Sequence, residues 1–202
     1  MSGIIAQNTL DNSGLVKAPA GGGAWNFIAK QTASASSTIS FTSGIDSTYK
    51  EYVFTFNNIH PQTDGEDFQF NMSTDGGSNY NVTKTSSFFY SYHSYAIDAL
   101  AGVDYNGAFD LAQSTSDQVL NNNIGNDNDQ SAVGTLHLFN PSSTTFVKHY
   151  MARVNSYHSA NQSSECYSAG YANTTSAIDA IIFKMNSGNI DAGDICLYGI
   201  SS

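Results

Sequence analysis

Five histidines are the residues of this 202-residue chain best suited to acid–base catalysis or metal binding. They are His60, His93, His137, His149 and His158. No two of them have the i, i+4 spacing of a helical metal motif, none belongs to an H-E-x-x-H sequence, and the chain lacks a G-x-S-x-G nucleophile elbow. The sequence therefore predicts a protein that is not an enzyme and that carries no cofactor.

Three short segments, residues 63–67, 73–79 and 125–130, are rich in the oxygen ligands that calcium prefers. None of them matches the D-x-[DN]-x-[DN]-G loop with its distant glutamate. Asp-Gly sequences are also the usual chemistry of tight turns between strands. We therefore interpret all three segments as turns, with Asp127 and Asp129 as weak calcium candidates, and predict no other metal site.

The two cysteines, Cys166 and Cys196, can form a disulfide only if their strands adjoin. Apolar residues surround Cys196 in the sequence DICLYGI, and free cysteine is among the most buried residue types. We favour two free buried thiols over a disulfide. Neither cysteine has the nearby second Cys or His of a zinc site.

Twelve tyrosines are the residues of this chain best suited to stacking on a ligand. Tyrosine rings stack on sugars, but they also fill sheet faces and subunit interfaces, which is the more common role for any single tyrosine. Tyr95 and Tyr105 fall in the polar central part of the chain. We take these two as candidates for a ligand or partner surface.

Charge and hydropathy exclude two classes of partner. Seven Lys and Arg stand against 17 Asp and Glu, so the net charge is -10, and charged residues make up only 12% of the chain. So few cations disfavour binding to a phosphate backbone. No stretch approaches the roughly 18 apolar residues of a membrane span. We expect no nucleic-acid partner and no membrane partner.

The chain after residue 24 has the residue pattern of an all-β protein, with short runs of β-branched and aromatic residues between Gly, Asn, Asp and Ser clusters. Ten strands are predicted, at 25–30, 38–42, 51–57, 67–72, 81–92, 134–139, 145–156, 165–172, 180–185 and 194–200. Tyr52, Phe54 and Phe56 alternate with more polar residues, as in a strand with one buried face. The pattern predicts an antiparallel β-sandwich. Only 96–102 and 110–120 have the composition of short helical turns.

Two segments depart from the sandwich pattern. Residues 1–23 form an N-terminal arm without a regular period, ended by a Pro-Ala-Gly-Gly-Gly run, and they are followed by a single domain at 24–202. The arm either docks on a partner or stays disordered. Its apolar residues are Ile4, Ile5, Leu10, Leu15 and Val16. Between Lys84 and Lys148 the chain has no Lys or Arg but six Asp, and we expect a polar, acidic excursion at about 94–130 that ends in an exposed loop.

Four phrases carry a resemblance to a known family: STYKEYVFTFNNIHPQTDGEDFQF (47–70), GGSNYNVTKTSSFFYSYH (76–93), GTLHLFNPSSTTFVKHYMARVNSYH (134–158) and AIDAIIFKMNSGNIDAGDICLYGI (177–200). They resemble a family of uncharacterised structural proteins of tailed bacteriophages, especially phages of marine and aquatic bacteria. The resemblance spans most of the chain from residue 25 and includes no catalytic motif. It implies a virion protein with a jelly-roll-like sandwich.

This resemblance gives two alternative expectations about function and one about oligomeric state. The first is a capsid-decorating or cement protein on the exterior of the phage particle, anchored through residues 1–23 to the major capsid protein or to other virion proteins. The alternative is a tail-fibre or receptor-binding head that contacts host glycan. By analogy with other virion jelly rolls we expect a homotrimer.

Overall fold

Twelve β-strands and one short 3-10 helix (Gly107–Phe109) form the regular structure of residues 24–97 and 99–201, which a computed structural model describes. The strands are β1 (Trp25–Ser36), β2 (Ile39–Phe41), β3 (Glu51–Pro61), β4 (Glu66–Ser73), β5 (Lys84–Ser94), β6 (Ala101–Tyr105), β7 (Gln118–Ile124), β8 (Ala132–Phe139), β9 (Lys148–His158), β10 (Gln162–Ala172), β11 (Ala180–Met185) and β12 (Ile190–Ile200). No helix within these residues has the length and apolarity needed to cross a bilayer.

The strands form two antiparallel sheets that face each other. The larger sheet has the order β1-β12-β3-β8-β9-β10-β5-β6, and the smaller sheet has the order β7-β4-β11-β2. A single backbone pair, Ile124 with His158, joins β7 to β9. The predicted all-β antiparallel sandwich is therefore confirmed, and the two sheets together form a nearly closed barrel.

Aromatic side chains fill the space between the sheets. The ring of Phe183, on β11, lies 5.3 Å from the rings of Phe54 and Phe56, which belong to β3 of the other sheet. Within its own sheet it lies 5.9 Å from Phe68 and 6.3 Å from Phe41. All five side chains are buried, so this cluster joins the two sheets by side-chain packing.

Alternation along β9 separates the two faces of the larger sheet. Tyr150, Ala152 and Val154 point into the core, whereas Met151 and Arg153 point to the outside. The same period of two holds along the neighbouring strands, as the sequence predicts for strands with one buried face. The inner face is therefore continuous with the core, and the outer face is not covered by the smaller sheet.

The ten predicted strands all exist, but two further strands lie in the segment that we expected to leave the sandwich. β6 and β7 fall within residues 94–130, and the described residues of 96–102 and 110–120, where we expected short helical turns, contain no helix. β7 pairs with β4 in the smaller sheet, and Leu120 and Ile124 are fully buried. The prediction of one exposed excursion is therefore wrong for residues 118–124.

The asparagines of β7 explain this error. Asn121 donates from Nδ2 to the carbonyl oxygen of Val154 at 3.0 Å, and Asn122 accepts through Oδ1 from Sγ of Cys166 at 3.2 Å. Buried amides are tolerated when they are hydrogen-bonded, and these bonds connect β7 to the larger sheet. A run of polar residues, the three asparagines of β7, therefore lies in a largely buried strand. The N-terminal arm, with its five apolar residues, lies outside the described residues.

We expect the Phe183→Ala variant to lose about 3–5 kcal/mol of unfolding free energy, because the substitution leaves a cavity at the contact between the sheets. Urea denaturation followed by circular dichroism measures this loss. Phe146→Ala is the matched control, since Phe146 is 69% exposed, and its change should stay within about 0.5 kcal/mol. Equal losses in the two variants would contradict the central role of Phe183.

Candidate functional site

The residues best suited to catalysis or metal binding are dispersed in the structure. His137 lies on the outer face, with Nδ1 2.6 Å from Oε1 of Glu51. His60 lies near Asp191, with 3.7 Å between Nδ1 and Oδ2. Within residues 24–97 and 99–201, no three His, Cys, Asp or Glu side chains are grouped as metal ligands.

Asp127 and Asp129 lie in an exposed turn between β7 and β8. The backbone N–H of Gln130 donates to the carbonyl oxygen of Asp127 at 2.8 Å, and the side-chain oxygen of Gln130 accepts from the N–H of Asp127 at 3.0 Å. Both bonds are internal to the turn. Asp129 also borders a shallow polar cavity of about 450 Å³ that His60 and Asp191 line. The geometry favours the interpretation of this segment as a turn.

The two cysteines are buried and unpaired. Burial raises the pKa of the Cys166 thiol to about 11, so this thiol is protonated at neutral pH and is a poor nucleophile. Cys196 lies on β12, opposite Thr55 and Lys30 in the adjoining strands. The preference for free buried thiols is confirmed.

The most distinctive surface of the molecule is the outer face of the larger sheet, which carries large apolar side chains instead of a uniformly polar surface. Phe27 on β1 is 61% exposed and Met151 on β9 is 58% exposed. Strand register places the side chains of this surface on one side of the sheet. We define the outer face by Trp25, Phe27, Tyr198, His137, Met151, Arg153, Tyr167, Phe89 and Tyr105.

Aromatic contacts organise both ends of the outer face. At the β1 end, the Tyr198 ring lies 5.5 Å from Trp25 and 5.8 Å from Phe27, in edge-on geometry. At the other end, Phe89 and Tyr167 stack with their centroids 4.8 Å apart and their planes 5° from parallel. Large exposed apolar patches of this kind mark binding surfaces in soluble proteins.

The charged residues of the outer face are arranged in pairs of opposite sign. Lys30 Nζ lies 2.7 Å from Oδ2 of Asp194, and Arg153 forms an ion pair with Glu165 across β9 and β10. The guanidinium of Arg153 also lies 5.7 Å from the ring centre of Tyr167. These pairs nearly cancel the charge of the outer face, although the protein carries a net charge of -10.

The two tyrosines singled out from the sequence are both exposed, but the structure does not bring them together. Tyr105, 65% exposed, ends β6 opposite Phe89, and its hydroxyl donates to Asp110. Tyr95, 70% exposed, follows β5 at the opposite end of the β5–β6 hairpin. Tyr105 therefore joins the aromatic residues around Phe89 on the outer face, whereas Tyr95 lies beyond the end of β5 beside Tyr157.

Tyr95 borders a shallow cavity of about 300 Å³. Its ring lies 6.5 Å from the ring of Tyr157 in edge-on geometry. The remaining wall carries the polar side chains of Asn155, Gln162 and Ser163. Aromatic edges beside amide and hydroxyl groups form a surface that suits a sugar ring.

Comparison with protein-family models, with curated proteins and with solved structures gives no match for this chain. The outer face must therefore be interpreted from its own residues. A signal for it exists in the sequence, because Phe27, Met151 and Tyr167 occupy the positions of predicted strands that should face solvent. The sequence alone does not place these three residues on one surface, because it does not contain the order of the strands in the sheet.

We expect the double variant Phe27→Ser, Met151→Ser to bind less of a dye that reports exposed apolar surface, with the unfolding free energy changed by about 1 kcal/mol or less, because both side chains are exposed. Dye fluorescence and urea denaturation on one preparation measure the two quantities. Phe183→Ala serves as the contrasting variant, because Phe183 is buried and its loss should lower the unfolding free energy. Unchanged dye binding in the double variant would show that the outer face is not an accessible apolar surface.

Proposed function

We propose that this protein is a structural component of a tailed-phage virion, of the capsid-decorating or cement type, and that it acts without catalysis. The observation that carries this proposal is the outer face, a broad apolar surface with paired charges. The resemblance of four segments to phage structural proteins supports the same assignment. The partners are the major capsid protein or other virion proteins, and the location is the exterior of the particle.

The composition of the outer face suits a surface that becomes buried on assembly. Apolar and aromatic side chains gain free energy when water is removed from them. Isolated charges would oppose burial, but Lys30 and Asp194 already neutralise each other, as do Arg153 and Glu165. The face therefore requires little reorganisation of charge on contact with a partner.

The arm at residues 1–23 joins the body at β1, which is an edge strand of the larger sheet. Trp25 and Phe27, the first aromatic residues after the arm, lie at one end of the outer face. An extended segment can add to a neighbouring surface through backbone hydrogen bonds and alternate side chains. We assign to the arm the anchoring contact with the shell or with a neighbouring copy, in a homotrimer.

We expect deletion of residues 2–20 to leave a folded body that no longer joins phage particles. A full-length variant with Ile4, Ile5, Leu10, Leu15 and Val16 changed to Ser should fail equally, because it keeps the length of the arm and removes its apolar side chains. Particle incorporation is measured by sedimentation followed by immunoblotting, with circular dichroism as the control for folding. Normal incorporation of the folded serine variant would contradict anchoring by the arm.

A second function, a tail-fibre or receptor-binding head, is favoured by the cavity between Tyr95 and Tyr157. The tyrosine rings offer a stacking surface, and the neighbouring Asn155 and Gln162 offer the hydrogen-bonding groups that orient a sugar. In this case the ligand is a glycan of the host surface.

Glycan binding at this cavity predicts that the Tyr95→Ala variant loses binding to whole host cells and to a glycan array. Tyr105→Ala is a matched control, because Tyr105 is similarly exposed but lies at the other end of the hairpin. Absence of binding by the unmodified protein on its natural host, or equal loss in both variants, would contradict the receptor-binding function.

A further inference from the structure

A buried lysine and a buried asparagine meet on the side of the smaller sheet that faces away from the aromatic core. Asn71 lies on β4 between Phe70 and Met72, whose side chains enter the core. Lys84 begins β5 and is fully buried. Its Nζ donates to Oδ1 of Asn71 at 2.6 Å and to the carbonyl oxygen of Val82 at 2.8 Å. The amine is therefore held against the side-chain amide.

A carboxylate lies on the other side of the same amide. Nδ2 of Asn71 donates to Oδ1 of Asp117 at 2.9 Å and to the carbonyl oxygen of Thr115 at 3.0 Å. The second oxygen of Asp117 lies 2.6 Å from Nζ of Lys184. The segment that carries Thr115 and Asp117 is fixed beside Lys84, because the backbone groups of Ser114 and Lys84 exchange two hydrogen bonds. The three side chains thus form an ordered series of amine, amide and carboxylate.

The surroundings of the amine favour its neutral, nucleophilic form. Burial lowers the pKa of Lys84 to about 8, against about 10.4 for an exposed lysine. Near neutral pH an appreciable fraction of this amine is therefore unprotonated, and desolvation is a known means of activating lysine as a nucleophile. Asp117 acts in the opposite direction as the nearby negative charge, but its contact is with the amide of Asn71.

The carbonyl of Asn71 is placed to accept negative charge. Its Oδ1 accepts from the backbone N–H of Met72 at 2.9 Å, a donor that does not depend on the attacking Nζ of Lys84. Preorganised donors on a carbonyl oxygen stabilise the oxyanion that forms when a nucleophile adds to the carbon. A fixed distance between reacting groups further lowers the barrier.

We propose that Lys84 and Asn71 form an intramolecular isopeptide bond, with Asp117 as the catalytic acid–base residue. Nζ adds to Cγ of Asn71, and a new C–N bond forms. Asp117 takes one proton from the adding nitrogen and gives it to Nδ2, after which the bond between Cγ and Nδ2 breaks and one ammonia leaves. The reaction consumes no oxidant, reductant or other co-reactant, and it occurs once in each molecule.

The product would join β4 covalently to the first residue of β5, at the side of the sandwich that the segment 114–117 covers. A bond at this place prevents the two strands from separating even when the fold opens locally. The inference rests on Lys84, Asn71 and Asp117 and uses no residue of the outer face, so it is independent of the proposed virion function.

The test is the intact mass of the purified full-length protein, denatured after incubation at about pH 8, where about half of the Lys84 amines are neutral. The expected mass is about 17 Da below that of the sequence, which corresponds to one ammonia. Trypsin should then fail to cut after Lys84, so that residues 51–148 remain one peptide. Cleavage after Tyr80 should leave two chains that stay joined through Asn71 and Lys84.

Three variants separate this reaction from other sources of the same mass change. Lys84→Met should have the full sequence mass, and Asp117→Asn should form the bond roughly 100-fold more slowly. Lys148→Met is the matched control and should keep the loss, because Lys148 is also buried but donates to the backbone oxygen of Thr174. If Lys84→Met does not fold, the Asp117→Asn rate still tests the proposal.

Two outcomes would overturn the proposal. One is an unmodified protein that keeps the full sequence mass after incubation. The other is a loss of ammonia that persists in Lys84→Met, or that digestion assigns to Asn106, which precedes a glycine and can lose ammonia by forming a cyclic imide with its own backbone.

Discussion

The ring of Phe183 packs against aromatic rings from β2, β3 and β4, and the relative position of the two sheets depends on this cluster. Backbone hydrogen bonding contributes little to that position, because the described residues pair across the sheets only at Ile124 and His158. β3 contributes Phe54 and Phe56 to the cluster from one side, and its other side presents Val53 and Thr55 to the outer face. The core and the outer face are therefore two sides of the same strand, and the packing of one fixes the shape of the other.

Polar residues take part in this architecture as much as apolar ones. Asn121 and Asn122 connect β7 to β9 and β10 through side-chain hydrogen bonds. Asn71 and Lys84 connect β4 to the start of β5 in the same manner. Each of these hydrogen bonds fixes the relative position of the two strands, because a buried amide or amine that loses its partner lowers the stability of the fold. In a chain with few charged residues, buried amides and amines therefore help to specify which strands pack together, a role that ion pairs fill in more highly charged proteins.

The sequence predicted the strands that follow a simple alternation and missed those that do not. β3 and β4 are evident from Phe54, Phe56, Phe68 and Phe70, because each aromatic residue is followed by a residue of the opposite face. β7 was missed because its asparagines resemble a loop, and only the contacts with distant strands show that they are buried. The outer face and the Lys84 cluster depend on strand order, which no local pattern contains. Tyr95 and Tyr105 were identified as exposed, but their separation follows from the hairpin between them.

The paired charges of the outer face have a consequence for how copies of the protein approach each other. Because Lys30 pairs with Asp194 and Arg153 pairs with Glu165 on this face, most of the net charge of -10 resides on the rest of the chain. Two copies therefore repel at long range, whereas the apolar attraction between faces acts only on contact. Mobile ions reduce the range of that repulsion to about 8 Å at physiological salt. Ionic strength, more than the apolar area itself, therefore sets how rapidly molecules that dock through the outer face can meet.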